Sequence, residues 1–240
     1  MSYWAVRCCA ERFRKALAIG WASARANVIP SLVLWTFAAV LVLVYYALPG
    51  CTGLFESVRL AQERYGWKAV VVSRVFFNGL LPGVFLLSVA AIRPAHPWKT
   101  IFAQAAFGCA FGIVGDAFFR LQCVLFGDGT SFVTVLLKTL VDQFVFTVLV
   151  IAPVESLFFF WIGRDFSWPR VRRDWPGRAW PFEVVMPNLV ADWVVSIPVC
   201  FATYVFPLDL QIHVNGLISA FWMLMCLQIG KRSAFCQIAS

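Results

Sequence analysis

The sequence predicts an all-α, polytopic transmembrane helix bundle of about six spans, with both termini on the cytoplasmic or matrix side. Three observations predict it. Hydrophobic residues make up 61% of the 240 and charged residues 13%, whereas a soluble domain carries roughly 45–50% and 25%. Six apolar runs lie near 31–48, 69–91, 100–126, 131–163, 184–206 and 210–230, and each is about as long as, or longer than, the ~17–25 residues a helix needs to cross hydrocarbon. Basic residues fall unevenly. The N-terminal tail, 92–99, 164–183 and the C-terminal tail hold 14 of the 20 Lys and Arg, against three in 49–68, and this bias sets the orientation.

The elements follow in chain order. Residues 1–30 form a basic segment in which Arg7, Glu11, Arg14 and Lys15 recur on one helical face, with Phe13, Leu17 and Trp21 elsewhere. Such a helix is expected to lie flat in the membrane interface. It lacks an apolar core ending in a small-residue cleavage site, so a secretory signal is not expected. A juxtamembrane anchor is the simpler reading and a mitochondrial targeting role the sharper one. Residues 31–99 supply two spans joined by a loop at 49–68, residues 100–230 a four-helix core, and residues 231–240 a tail. In lipid the backbone must bond within its own segment, which selects helices, and the alternation of a membrane barrel is missing. The run 131–163 is over-long and holds Lys138, Asp142 and Pro153, so either a kink or an extension beyond the bilayer is expected there.

Charged residues within the apolar runs are where chemistry or conduction would reside, since a buried ion normally finds a partner or faces water. Asp116 and Arg120 are four apart, as are Lys138 and Asp142, with Gln143 next to the latter. Either pair is spaced to neutralise itself along one helix face. Asp192 and His213 belong to the last two spans, Arg74 and Asn78 share a face of the second, and Glu155 follows Pro153. Two readings stay open: satisfied pairs that lock helix register, or a polar path lined by Asp116, Arg120, Lys138, Asp142, Gln143 and Asp192.

Other features have plainer accounts. Trp161, Trp168, Trp175 and Trp180 interleave with Arg164, Arg170, Arg172, Arg173 and Arg178, as expected for an interfacial belt against anionic lipid headgroups. Gly108, Gly112 and Gly115 make a small-residue helix face that admits close approach of a neighbour. The eight cysteines include no Cys-x-x-Cys and the two histidines are far apart, so neither a metal nor a cofactor is expected. Nucleic acid is not an expected partner, because the basic residues are scattered over juxtamembrane loops.

A spaced pattern at 168–198 adds a family resemblance. Trp168 is followed by Arg173-Asp174-Trp175-Pro176, then Pro187, then Ile197-Pro198, and upstream stand Lys138-x-x-x-Asp142-Gln143 and Phe111-Gly112 with Gly115. In these residues, over roughly 100–230, the chain resembles the Mpv-seventeen / twenty-two-kilodalton peroxisomal membrane protein family. It departs from that family's pattern at Met186, Val190, Trp193-Val194 and Ala202, and residues 1–99 have no counterpart. The resemblance implies a multi-pass protein of a mitochondrial inner or peroxisomal membrane, or of a bacterial cytoplasmic membrane, that forms or modulates a channel for small solutes.

The expected function is accordingly a channel or channel modulator for small solutes or ions, with membrane lipid and an unidentified solute as partners and a homo-oligomer left open. The alternative is a non-transporting scaffold that binds lipid or a protein. An enzyme is not expected, since no nucleophile elbow, phosphate loop or paired metal motif occurs.

Overall fold

The computed structural model describes residues 3–26, 28–48, 50, 52–88 and 93–220. Among them 89% is helix and no strand forms. The helices are α1 (Tyr3–Ala26), α2 (Val28–Ala47), α3 (Thr52–Tyr65), α4 (Trp67–Ser88), α5 (Pro97–Phe126), α6 (Phe132–Ile162), α7 (Trp168–Arg173), α8 (Pro181–Tyr204) and α9 (208–220).

Four of these, α4, α5, α6 and α8, are long and apolar enough to cross a membrane. A fifth span results if α2 and α3, bent by 98° from each other, count as one. The sixth expected span begins as α9, and its residues 221–230 lie outside the described residues, as does the tail 231–240. Only 22% of the most apolar stretch of α5, and the same share of α6, is buried inside the protein. Large apolar side chains instead cover the outside, among them Val124, Phe102 and Leu149. A soluble protein does not present so wide an apolar surface. The chain reads as an integral membrane protein.

Prolines shape the spans. Pro82, Pro153 and Pro187 each sit two residues beyond a π-helical stretch: Val75–Leu80 in α4, Asp142–Ile151 in α6 and Pro181–Val185 in α8. A proline lacks the N–H that would bond four residues back, and its ring crowds that carbonyl. Widening the preceding turn relieves the crowding without breaking the helix. The over-long run 131–163 thus carries a wide winding ahead of Pro153. Pro198 lies inside α8 without such a stretch.

Two boundaries differ from expectation. The expected loop 49–68 contains α3, whose Arg59 bridges Glu56 and Glu63 one turn to either side and so favours helix locally. The N-terminal segment is one helix of 24 residues, and it packs along α8. At Gly20 an added Cβ would stand 2.7 Å from Val190 Cβ and 2.9 Å from the Pro187 carbonyl oxygen, an approach only glycine permits.

The packing centres on α8. Its Val195 and Val199 meet Leu34 and Ala38 of α2 and Val214 and Ile218 of α9. Its Cys200 and Tyr204 meet Val70, Phe119, Val135 and Ile212. At the other end Leu86, Ile101, Ile162 and Phe166 form one cluster, which brings the basic loops after α4 and after α6 to the same end of the bundle.

Candidate functional site

Asp142 is buried and met by three donors, and the π winding supplies one of them. Residues five apart stack in a π-helix, which sets Thr147 beneath Asp142, its hydroxyl donating to Oδ1 at 3.3 Å. Gln143 Nε2 donates to the same oxygen at 3.3 Å. Tyr204 of α8 donates its hydroxyl to Oδ2 at 2.6 Å and itself accepts from Gln122 Nε2 of α5. The carboxylate is therefore held by neutral donors from α6 and α8. The Gln143 carbonyl also accepts from Trp193 Nε1 of α8 at 2.9 Å.

The network continues along α8. Ser196 Oγ lies 2.6 Å from Gln143 Oε1 and 3.1 Å from Asp192 Oδ2. Asp142, Gln143, Asp192 and Ser196 thus form one polar strip. This strip is part of the lining of a cavity of about 180 Å³ between the helices. α4 and α9 add Arg74, Asn78, Asn215 and Ser219 to the lining, and much of the rest is apolar, including Phe107, Phe111, Phe119 and Phe146. Glu155 also lines it.

Arg74 is fixed from both sides. Its guanidinium donates to Ser219 Oγ (3.0 Å), the Ile212 carbonyl (3.3 Å) and Asn215 Oδ1 (2.8 Å). Behind it, a Cβ on Gly112 would fall 2.5 Å from Arg74 Cγ, and one on Gly108 would fall 2.5 Å from Asn78 Cβ. The glycine face of α5 therefore performs the close approach expected of it, against the polar residues of α4. Gly115 is looser, with Ile212 Cδ1 at 3.4 Å.

Three expected members of the polar path do not line the cavity. Asp116 and Arg120 make the expected pair, Nε to Oδ2 at 2.9 Å, and Arg120 reaches Asp209 at 3.6 Å. Gln62 joins this second cluster, with Nε2 3.5 Å from Asp116 Oδ1 and Oε1 3.1 Å from His213 Nε2. Lys138 and Asp142 do not pair, although they are spaced to do so. Among the described residues no acid lies within salt-bridge distance of Lys138; its ammonium donates to Cys123 Sγ at 3.3 Å and stands 6.0 Å from the centre of the Tyr204 ring. Tyr204 intervenes, bonding the carboxylate through its hydroxyl and facing the ammonium with its ring.

The spaced motif of 168–198 lies away from the cavity. Trp168 opens α7 and stacks on Trp161, and Trp175 stacks on Trp180 across the turn at Pro176. Trp168, Val171, Arg172 and Trp175 line a surface notch with Leu157. The Asp174 carboxyl is held below the usual range by the hydrogen bond from Arg173, with the Arg164 guanidinium adding to it. Burial pulls Arg164 down in turn, against the attraction of Asp174. Pro187 is buried near the start of α8, and Pro198 sits within it. Compared with protein-family models, with curated proteins and with solved structures, the chain matches none.

The sequence pattern puts Asp142, Gln143 and Asp192 on the path and Arg74 and Asn78 on one face of the second span, not joined to that path, and it leaves out Ser196, Asn215 and Ser219. An arginine alone in an apolar helix was the available signal. Asn215 and Ser219, four apart on the last helix, were the complement to it.

Proposed function

We propose that this chain is a multi-pass membrane protein whose bundle offers small polar solutes a narrow path, with Asp142, Gln143 and Asp192 on its wall. One observation carries the reading. A cavity among the helices gathers charged and amide side chains from α4, α6, α8 and α9, in a bundle where α4, α5 and α6 carry large apolar side chains on their outer faces. Polar groups within a membrane bundle turn inward where they serve a pathway. We extend the proposal to kinship with the Mpv-seventeen family, supported by Lys138-x-x-x-Asp142-Gln143 and the 168–198 spacing. The basic loops sharing one end of the bundle support a cytoplasmic or matrix placement for that end.

The test is flux in liposomes carrying the purified protein. The wild type is expected to pass small polar solutes, and Asp142→Asn to reduce that flux at least fivefold. Wild-type vesicles no leakier than empty ones, over a broad solute panel, would remove the path. A non-transporting scaffold is the second reading. The surface notch of Trp168, Arg172 and Trp175 favours it, because aromatic and basic side chains together suit lipid headgroups.

A further inference from the structure

The cavity lining carries charges of both signs, each incompletely answered. Arg74 is 5% exposed, every described hydrogen bond it makes is to a neutral acceptor, and its Nε–H has no partner. One turn along, Asn78 is 1% exposed and its Oδ1 is without a donor. Both residues line the cavity. Asp142 and Asp192 are met by hydroxyl and amide donors. A buried charge normally has a counter-charge. Here Arg74, Asp142 and Asp192 share one cavity lining, and among the described residues none of the three is in an ion pair.

Buried polar groups normally find a partner, and Arg74 and Asn78, which line the cavity, each keep one buried polar atom without one. Water would satisfy Nε–H and Oδ1 but would leave the charges uncompensated. A simple anion would suit Arg74 and be repelled by the acids that share its lining, Asp142, Asp192 and Glu155, and a simple cation would meet the reverse. A molecule with both charges matches both signs. The volume, about 180 Å³, is below the 300–1,000 Å³ of drug-sized pockets, which limits the molecule to a few heavy atoms. Phe107 and Phe146 add an apolar surface, suited to a short hydrocarbon side chain.

We propose that this cavity binds a small zwitterion of the α-amino-acid type, its carboxylate on Arg74 and its ammonium toward Asp142 and Asp192. The inference rests on the solute-path reading and names the class of solute. Pre-formed geometry supports it. The glycine face of α5 leaves Arg74 no room to withdraw, so the guanidinium is already placed for a carboxylate.

The experiment is calorimetric titration of the protein in lipid nanodiscs with three probes of like size: alanine, lactate (no ammonium) and alaninamide (no carboxylate). Alanine is expected to bind at least tenfold more tightly than either. Asp192→Asn should abolish the preference over lactate, and Arg74→Gln the preference over alaninamide. Should Arg74→Gln fail to fold, the wild-type ranking decides the matter without it. Lactate or alaninamide binding within twofold of alanine, or no binding by any of the three, overturns the inference. The two readings separate in liposomes. Glycerol flux without alanine binding leaves the path and removes the zwitterion site, whereas alanine binding without flux of any solute leaves the site and removes the path.

Discussion

Removing a single hydroxyl, in Tyr204→Phe, tests whether the polar interior is a set of mutually dependent bonds. Tyr204 donates to Asp142 Oδ2 at 2.6 Å, while the other two donors to that carboxylate stand at 3.3 Å. The shortest bond is therefore the one lost. The same change strands Gln122 Nε2, on a side chain whose Oε1 already has no partner. A hydrogen bond to a charged group contributes about 1.5–3 kcal/mol in soluble proteins, and one between membrane helices averages nearer ~0.6 with a maximum of about 1.7 kcal/mol. Both partners here stay buried, so the expected loss is about 1.5–2.5 kcal/mol. Reversible unfolding in mixed micelles, followed by tryptophan fluorescence, gives the value. A cycle with Asp142→Asn should then show a coupling of about 1 kcal/mol or more. A Tyr204→Phe protein within about 0.3 kcal/mol of wild type, or additive effects in the cycle, would refute the reasoning.

Two further outcomes follow from the packing. Gly112→Ala drives a methyl group to 2.5 Å from Arg74 Cγ, whereas Gly115→Ala meets only a side-chain tip at 3.4 Å. The first should lose about 1–3 kcal/mol and the second less than about 0.5 kcal/mol in the same unfolding assay. Lys138→Met removes a buried cation that is bonded to a thiol and to no described acid. Its stability should be unchanged or raised by about 1 kcal/mol, and its liposome flux should equal that of the wild type while Asp142→Asn is impaired.

Local rules in the sequence account for much of this architecture. Span lengths, the small-residue face of α5 and the Asp116–Arg120 pair all depend on spacings of three, four or about twenty residues, which can be read directly. Lys138–Asp142 has the same four-residue spacing and misleads, because the winding after Asp142 is π and Tyr204 arrives from 62 residues away. The signal for that winding was present in Pro153, as in Pro82 and Pro187, but a proline permits a kink, a break or a wide turn alike. Arg74 was visible as an isolated charge. Its partners Asn215 and Ser219 lie 141 and 145 residues on, a separation over which no periodicity speaks. The function of α3 as helix rather than loop was legible in Glu56, Arg59 and Glu63, and charge content alone obscured it.

Thiol accessibility tests the central claim most directly, that a greasy outer surface encloses a wet polar interior. In a background without the native cysteines, Ser196→Cys and Val124→Cys are compared with a small charged thiol reagent applied to protein in bilayers. Ser196 borders the cavity, and Val124 is 84% exposed on the outer face of α5. The account predicts that the reagent modifies Ser196→Cys and spares Val124→Cys, which a lipid-soluble maleimide labels instead. Rapid modification of Val124→Cys by the charged reagent with protection of Ser196→Cys would contradict it.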